Sequence, residues 1–322
     1  MAHTAIALPS FESYACAHDK GSFSRLLSEL SLPQPETRFC DSRAELEQLD
    51  SFPFIAKAAV GTASRGTWMV QNRADLRTAI EELEAGGSFG RPVLVQDVVA
   101  GDVEHAQAVF CHGRLVASHA YRQIARGAGG GDAIKLSVEH STVRSHLERI
   151  GAHLRWHGAL SVDYIIERGT DRPSYIDCNP RLVEPMSALL AGLDLTDVLL
   201  RVSCGENPTA VPNSRPGVRT HISMQALLGC ALRDTSRLIL AAEGWRLFRR
   251  QGPYAGSREE LTPVSTDWPS AVPVIAVAVM LLVRPAVAQV LPKKGWGAHL
   301  LNIDAIGKIE RIEPHGEAPS CG

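Results

Sequence analysis

"YIDCNPRL", residues 175–182, runs from a short apolar strand into polar chemistry. In a strand, side chains alternate faces, so Asp177 and Asn179 point one way while Ile176 and Cys178 point the other. Arg181 takes the next position on the same side. Two oxygen-bearing side chains followed by a guanidinium are either a solvated polar surface or the wall of a site.

The preceding stretch sharpens the choice. "ALSVDYIIE" (159–167) and "PSYIDCNP" (173–180) read as strands, and "RGTDR" between them supplies turn residues. A turn centred on Thr170 sets Asp163 opposite Asp177. Like charges directly opposed on a sheet face are destabilising unless a proton or cation lies between them. Asp163, Asp177 and Asn179 offer only hard oxygen ligands, which suit Mg2+ rather than zinc. On spacing alone, the metal wall and the solvated face both stay open, because a one-residue slip would move Asp163 to the other side.

Outward from this hairpin, the chain alternates helical and strand patterns. Residues 19–30 carry Phe23, Leu26, Leu27 and Leu30 on one helical stripe, stopped by Pro33 and Pro35. "FPFIAKAAV" (52–60) reads as a strand with "GTASRGTW" as the loop leaving it. A helix over 73–84 takes Asn72 as its cap and turns Leu76, Ile80 and Leu83 inward. "PVLVQDVV" (92–99) is a further strand. "HAQAVFC" and "GRLVASHAYRQ" form a hairpin turning at His112-Gly113. The glycine cluster "RGAGGGD" (126–132) predicts a mobile or tightly turned loop. A helix follows over 142–156, and Thr196 is expected to cap another that ends before Gly205.

Composition sets the outer limits. The 322 residues are 45% hydrophobic and 21% charged with net charge −2, as in an ordinary globular protein and unlike a nucleic-acid binder. Seven cysteines without a C-x-x-C spacing predict neither a disulfide framework nor structural zinc, and point to a reducing cytoplasm. The first residues lack the pattern of a signal peptide. The apolar run 271–283 is shorter than the roughly 20 residues a spanning helix needs. It predicts a buried helix or an oligomer contact, a homodimer being the simplest case.

Taken in order, these segments resemble the ATP-grasp superfamily, in particular the branch containing carbamoyl-phosphate synthetase, biotin carboxylase and many carboxylate–amine ligases. The resemblance covers about residue 15 to residue 207 and implies an α+β fold whose two lobes grip ATP. "DK" at Asp19-Lys20 is similar to the signature whose lysine reaches the nucleotide phosphates. "FIAK" with "GTASRG" is similar to the lid: Lys57 would meet phosphate oxygens, and backbone N–H groups of Gly61, Thr62, Ser64 and Gly66 would turn towards them. "VLVQDVVAG" resembles the adenine hinge, with Gln96, Asp97, Val98 and Val99 reading adenine and ribose. Glu104 matches a glutamate that recurs after the hinge, and "GAGGGDAIKLS" resembles a loop bordering the substrate pocket.

"VDYII…YIDCNPR" resembles the metal-binding strand pair, with aspartate at 177 where the family commonly has glutamate. Asp163, Asp177 and Asn179 are then the expected ligands of Mg2+ or its substitute Mn2+. Arg181 is the expected partner of the acceptor carboxylate or phosphoryl group, since its planar fork suits both. Lys57 and Arg181 would carry the chemistry.

The implied activity is an ATP- and Mg2+-dependent ligase joining a small carboxylate to a small amine. Phosphorylation of bicarbonate or carbamate, or a non-catalytic nucleotide-binding subunit, are the alternatives. "RLVEP" sets Glu184 one residue out of register with the biotin carboxylase fingerprint. The expected organisation is an N-terminal segment 1–52, a lid 53–97, a metal-bearing lobe 98–207 and a mostly helical extension 208–322. The Rossmann-like domain that usually precedes the "DK" is expected to be absent or truncated.

Overall fold

The structure is a computed structural model that describes residues 6–61, 66–264 and 266–289. The described chain divides into two units, a smaller one over Thr37–Asp97 and a larger one from the flanking residues. The larger unit opens with two helices, α1 (Phe11–His18) and α2 (Lys20–Glu29). Each begins at a side-chain cap: Ser10 accepts from the Ser13 N–H and Asp19 from the Ser22 N–H, satisfying donors a helix start leaves free.

The smaller unit comprises β1 (Thr37–Cys40), α3 (Arg43–Glu47), β2 (Phe54–Lys57), β3 (Thr67–Val70), α4 (Arg73–Ala85) and β4 (Val93–Asp97). Its four strands form an antiparallel sheet in the order β1-β4-β2-β3. Leu76, Ile80 and Leu83 of α4 pack on Phe54, Ala56, Val70 and Val93, as their helical spacing requires. Asn72 caps α4 by accepting from the Ala74 and Asp75 N–H groups. The unit begins at residue 37 rather than 53 because β1 pairs with β4 from Val93 to Gln96.

The rest of the larger unit follows as β5 (Gly101–Cys111), β6 (Arg114–Arg126), β7 (Asp132–Val138), α5 (Ser141–His153), β8 (Gly158–Glu167) and β9 (Pro173–Asn179). Then come α6 (Met186–Leu190), α7 (Leu195–Ser203), β10 (Arg219–His221), α8 (Ser223–Arg233), α9 (Arg237–Arg249), β11 (Arg258–Glu259) and α10 (Ala271–Val283). The strands order as β11-β10-β7-β6-β5-β8-β9. Ala106, Ala108 and Phe110 of β5 join Leu160, Val162 and Tyr164 of β8 against α2 and α5, a core rich in Leu, Ile and Phe. At roughly 1.5–3 kcal/mol per fully buried large apolar side chain, this face anchors the sheet. The alternate positions face the other way, where His105, Gln107, Ser161 and Asp163 share the surface with the apolar Val109 and Cys111.

Two expectations are revised, and one stretch that the patterns left unassigned takes its form. The stretch after the glycine cluster is a strand, β7, and the cluster itself closes a tight turn, with the Gly127 N–H donating to the Gly131 carbonyl at 2.7 Å. The cap of α7 is Asp194, which accepts from the Thr196 and Asp197 N–H groups, rather than Thr196. Residues 208–289 are not a separate helical body, because β10 pairs with β7 and β11 with β10, extending the same sheet.

The apolar helix α10 is not buried: Leu281 is fully covered, but Ile275, Val279 and Val283 are 59%, 54% and 68% exposed. No helix among the described residues is long and apolar enough to cross a membrane.

One irregularity shapes the hairpin. Tyr164 pairs with Tyr175, yet Asp163 pairs with Asp177, so Ile176 is an extra residue bulged out of β9. The bulge resets the alternation. Tyr175 and Cys178 enter the core while Asp177 and Asn179 face the open side.

Candidate functional site

Directly paired residues share a sheet face, so the pairs Asp163–Asp177 and Ser161–Asn179 place both aspartates and the asparagine together. The repulsion expected between the carboxylates is relieved by a basic side chain at each. Lys20, the first residue of α2, sets its ammonium 2.7 and 2.8 Å from the two Asp177 oxygens and is almost wholly buried. The Cys178 N–H adds a third bond to Asp177 at 2.9 Å.

At the other carboxylate, His105 Nδ1 lies 2.7 Å from Asp163 Oδ1, and its Nε2 lies 3.7 Å from Asp132. Burial opposes a charged ring at His105, but the charge and hydrogen bond of Asp163, with Asp132 and Glu184 behind, outweigh it. The imidazole is pushed up to about 9 and is therefore cationic at neutral pH.

The polar surface continues across the sheet. Tyr121 stacks on His105 with ring centroids 5.1 Å apart and donates its hydroxyl to Asp132 at 3.0 Å; the Gln123 amide donates to the same carboxylate. Lys135, 1% exposed, pairs with Glu184 and, at 2.8 Å, with the fully buried Glu260. Burial pulls the Lys135 ammonium down, but Glu260 and Glu184 together hold it above its ordinary value. Thr220 donates to the second Glu260 oxygen at 2.6 Å.

Glu184 has a left-handed backbone (φ +56°), a conformation costing a non-glycine residue on the order of 1–3 kcal/mol and concentrated at working sites. The Gln107 side chain braces it, accepting from the Val183 N–H and donating to the Glu184 carbonyl. The named groups hold five carboxyls (Asp132, Asp163, Asp177, Glu184, Glu260) and three basic side chains (Lys20, His105, Lys135). An oxygen-rich face with more acid than base has the donor chemistry of a Mg2+ site.

The remaining expected residues divide between places. Asn179 is half-buried beside the pair, and Arg181 is exposed just beyond β9, its guanidinium donating to the Leu182 carbonyl. Glu104 lies on the opposite, helix-covered face. Its side chain is fully buried, 2.8 Å from Arg122 and 2.7 Å from His140, so it does not join the acidic pair. The cause is parity: on β5 it is His105, one residue later, that pairs with Asp163.

In the smaller unit, Lys57 is buried at the end of β2 and paired with Thr67. Gly61 is described; Gly66 has φ +77° and takes the Ala58 N–H on its carbonyl at 2.8 Å. Thr62 and Ser64 lie outside the described residues. The Gln96 amide donates to Thr37 Oγ1 at 3.0 Å within the sheet, so the exposed polar side chain of the hinge is Asp97; Val98 and Val99 follow it.

His105, Asp132, Lys135 and Glu260 were not anticipated as site residues. For His105 the signal was available, since strand parity alone separates it from Glu104. The others depend on long-range pairings that no local pattern announces.

No family model matches the chain. It is 26% identical over 178 residues to the carbamoyl phosphate synthase large chain of Deinococcus deserti, covering 51% of this chain and 17% of that protein. It is also 26% identical over 209 residues to the same protein of Rubrobacter xylanophilus, covering 61% and 20%. The chain thus spans about a fifth of the length of these curated relatives.

Among solved structures, a biotin carboxylase complex from Campylobacter jejuni superposes with a TM-score of 0.54 at 19% identity, covering 66% of this chain and 51% of that one. An N5-carboxyaminoimidazole synthase from Aspergillus clavatus, in complex with ADP and 5-aminoimidazole ribonucleotide, gives 0.54 at 15% identity, covering 70% and 64%.

Proposed function

The chain has the ATP-grasp fold, and on that premise we propose that it is an ATP- and Mg2+-dependent ligase activating a small carboxylate as an acyl phosphate and joining it to an amine. The observation that carries this reading is the paired Asp163 and Asp177 with Asn179 on the same face. These three would hold Mg2+ (or Mn2+), which when bound supplies neutralisation of the triphosphate charge. Phosphoryl transfer asks for positioning and charge more than for covalent help.

Lys20 and Lys57 would bind phosphate oxygens. The ammonium of Lys20 is held ready by Asp177, and a nucleotide would share or take over that contact. Backbone N–H groups of Gly61, Thr62, Ser64 and Gly66 would face the phosphates, and Gln96 to Val99 the adenosine. Arg181, exposed and without a carboxylate partner among the described residues, would orient the acceptor carboxylate. The protonated His105, 2.7 Å from Asp163, holds that carboxylate in place. Glu104 is left out of this assignment, since Arg122 and His140 occupy both its oxygens. The setting is cytoplasmic, the partners are small molecules rather than nucleic acid, and a homodimer would form through the exposed stripe of α10.

The test is an ADP-release screen crossing amino acids and small carboxylic acids with amine acceptors, followed by mass analysis of products. ADP release requiring both substrates, with a product of their combined mass less water, is the expected result. ATP binding with no ADP from any pairing would overturn the enzymatic reading. Similarity to carbamoyl phosphate synthase favours one second reading, phosphorylation of bicarbonate or carbamate. ADP release driven by bicarbonate without an amine would select it.

A further inference from the structure

At the tip of the β5–β6 hairpin, three side chains of a different chemistry gather. Cys111, His112 and His157 each offer a ligating atom, and these atoms lie within 4.8 Å of one another. Among the described residues no other group of three or more Cys, His, Asp or Glu does so. Cys111 is six residues along β5 from His105, roughly 20 Å at the rise of a strand, so this cluster is separate from the acidic face.

Sequence neighbours in a strand point apart, and the backbone overcomes this at His112. His112 (φ +49°) and Gly113 (φ +88°) form the two-residue turn between the paired Cys111 and Arg114. Left-handed conformations at both positions are what a tight hairpin turn demands. The turn is pinned to the segment carrying His157. The Gly113 N–H donates to the Trp156 carbonyl at 2.7 Å, and a Cβ at Gly113 would come within 3.3–3.4 Å of backbone atoms of Gly151, Ala152 and Arg155.

The His112 N–H donates to His157 Nδ1 at 3.3 Å, and the two imidazoles stack with centroids 4.1 Å apart. Trp156, beside His157, is fully buried and bonds the Ala159 carbonyl. Cys111 is buried, its sulfur 4.0 Å from the Glu206 carbonyl. Burial and the neighbouring His112 draw His157 down, favouring the neutral imidazole that metals bind.

A thiol with two imidazoles suits a borderline-soft cation and not Mg2+. We propose that Cys111, His112 and His157 bind one zinc-class divalent cation, the thiol losing its proton to solvent and solvent completing the coordination. The segments are already fixed by backbone bonds, so binding orders little further chain. Binding would require the half-exposed and exposed imidazoles to leave their parallel stack and rotate until all three atoms reach bonding distances of about 2.0–2.3 Å. The ion ties the hairpin tip to the loop between α5 and β8, stiffening the strand that carries His105.

The test strips the full chain with chelator and titrates it with Co2+, whose thiolate charge-transfer and visible bands report coordination. A near-ultraviolet band saturating at one equivalent, bleached by Zn2+ and abolished in Cys111→Ser, is expected. His157→Gln, at a half-buried position, should weaken Zn2+ binding at least about tenfold against a chromophoric chelator. Asp177→Asn should leave the band intact. Absence of the band in the parent chain overturns the proposal, as does its persistence in both cluster variants or its loss in Asp177→Asn.

Discussion

Asp163 stands directly opposite Asp177 across β8 and β9, and each carboxylate has its own cation 2.7 Å away, His105 at one and Lys20 at the other. The pair is therefore a held arrangement of charge rather than two acids left in water. Asp177→Ala removes a proposed oxygen ligand and the ion pair that Asp177 makes with the buried Lys20 ammonium. At about 3–4 kcal/mol for one lost electrostatic contact in a transition state, ADP release should fall several hundredfold. An unchanged rate in the substrate screen would refute the metal assignment.

Lys135 and Glu260 are both essentially inaccessible, so removing one alone leaves the other charge buried. Lys135→Met should cost about 3–5 kcal/mol of unfolding free energy. Lys135→Met combined with Glu260→Leu should recover most of that loss. Denaturant titrations of the two variants would read the coupling, and additive effects would show the contact to be of little energetic weight.

The pair of Glu104 and His140 predicts a pH optimum for stability. Burial pushes the Glu104 carboxyl up, but the hydrogen bonds from His140 and Arg122 prevail and hold it below its ordinary 4.5. The Glu104 bond raises His140 above its ordinary 6.5. A lowered carboxyl stabilises above 4.5 and loses its contribution as pH falls through the folded value. A raised imidazole stabilises below 6.5 and loses its contribution as pH rises through the folded value. Both contributions are complete only between about 4.5 and 6.5. His140→Gln should narrow the stability gap between pH 5.5 and pH 8.5, as melting temperatures at the two pH values would show.

Ile275, Val279 and Val283 recur at four-residue spacing and form an exposed apolar stripe on α10. If a second copy covers it, Ile275→Glu with Val279→Glu should convert a sedimenting dimer into a monomer. A parent chain that sediments as a monomer at micromolar concentration would remove the dimer from the proposal.

How far these features could be read from the residues alone depended on their range. The hairpin register was available because strand patterning and turn residues are local, and counting outward from Thr170 set Asp163 against Asp177. The same counting misses the bulge, since nothing in "YIDC" marks Ile176 as extra. Helices with strong apolar spacing, such as α4 and α5, were visible for the same local reason. β10 and β11 span three and two residues, too few to show a period, and exist through pairing, β10 with β7 and β11 with β10. β7 was hidden by the glycine cluster before it. Glu104 was singled out through a resemblance, which fixes a neighbourhood, whereas the face is decided by odd and even positions, and these bring His105 to Asp163.

The spare residue in β9 has a consequence for insertions and deletions. If Ile176 entered the ladder opposite Asp163, every residue after it would exchange sides, and the Asp177 carboxylate would be driven among the leucines beneath the sheet. A chain lacking Ile176 would keep Tyr175 inward and Asp177 outward, merely with a straighter strand. The hairpin should thus forgive a deletion at that one codon while rejecting a duplication beside it, an asymmetry that no substitution scan would reveal.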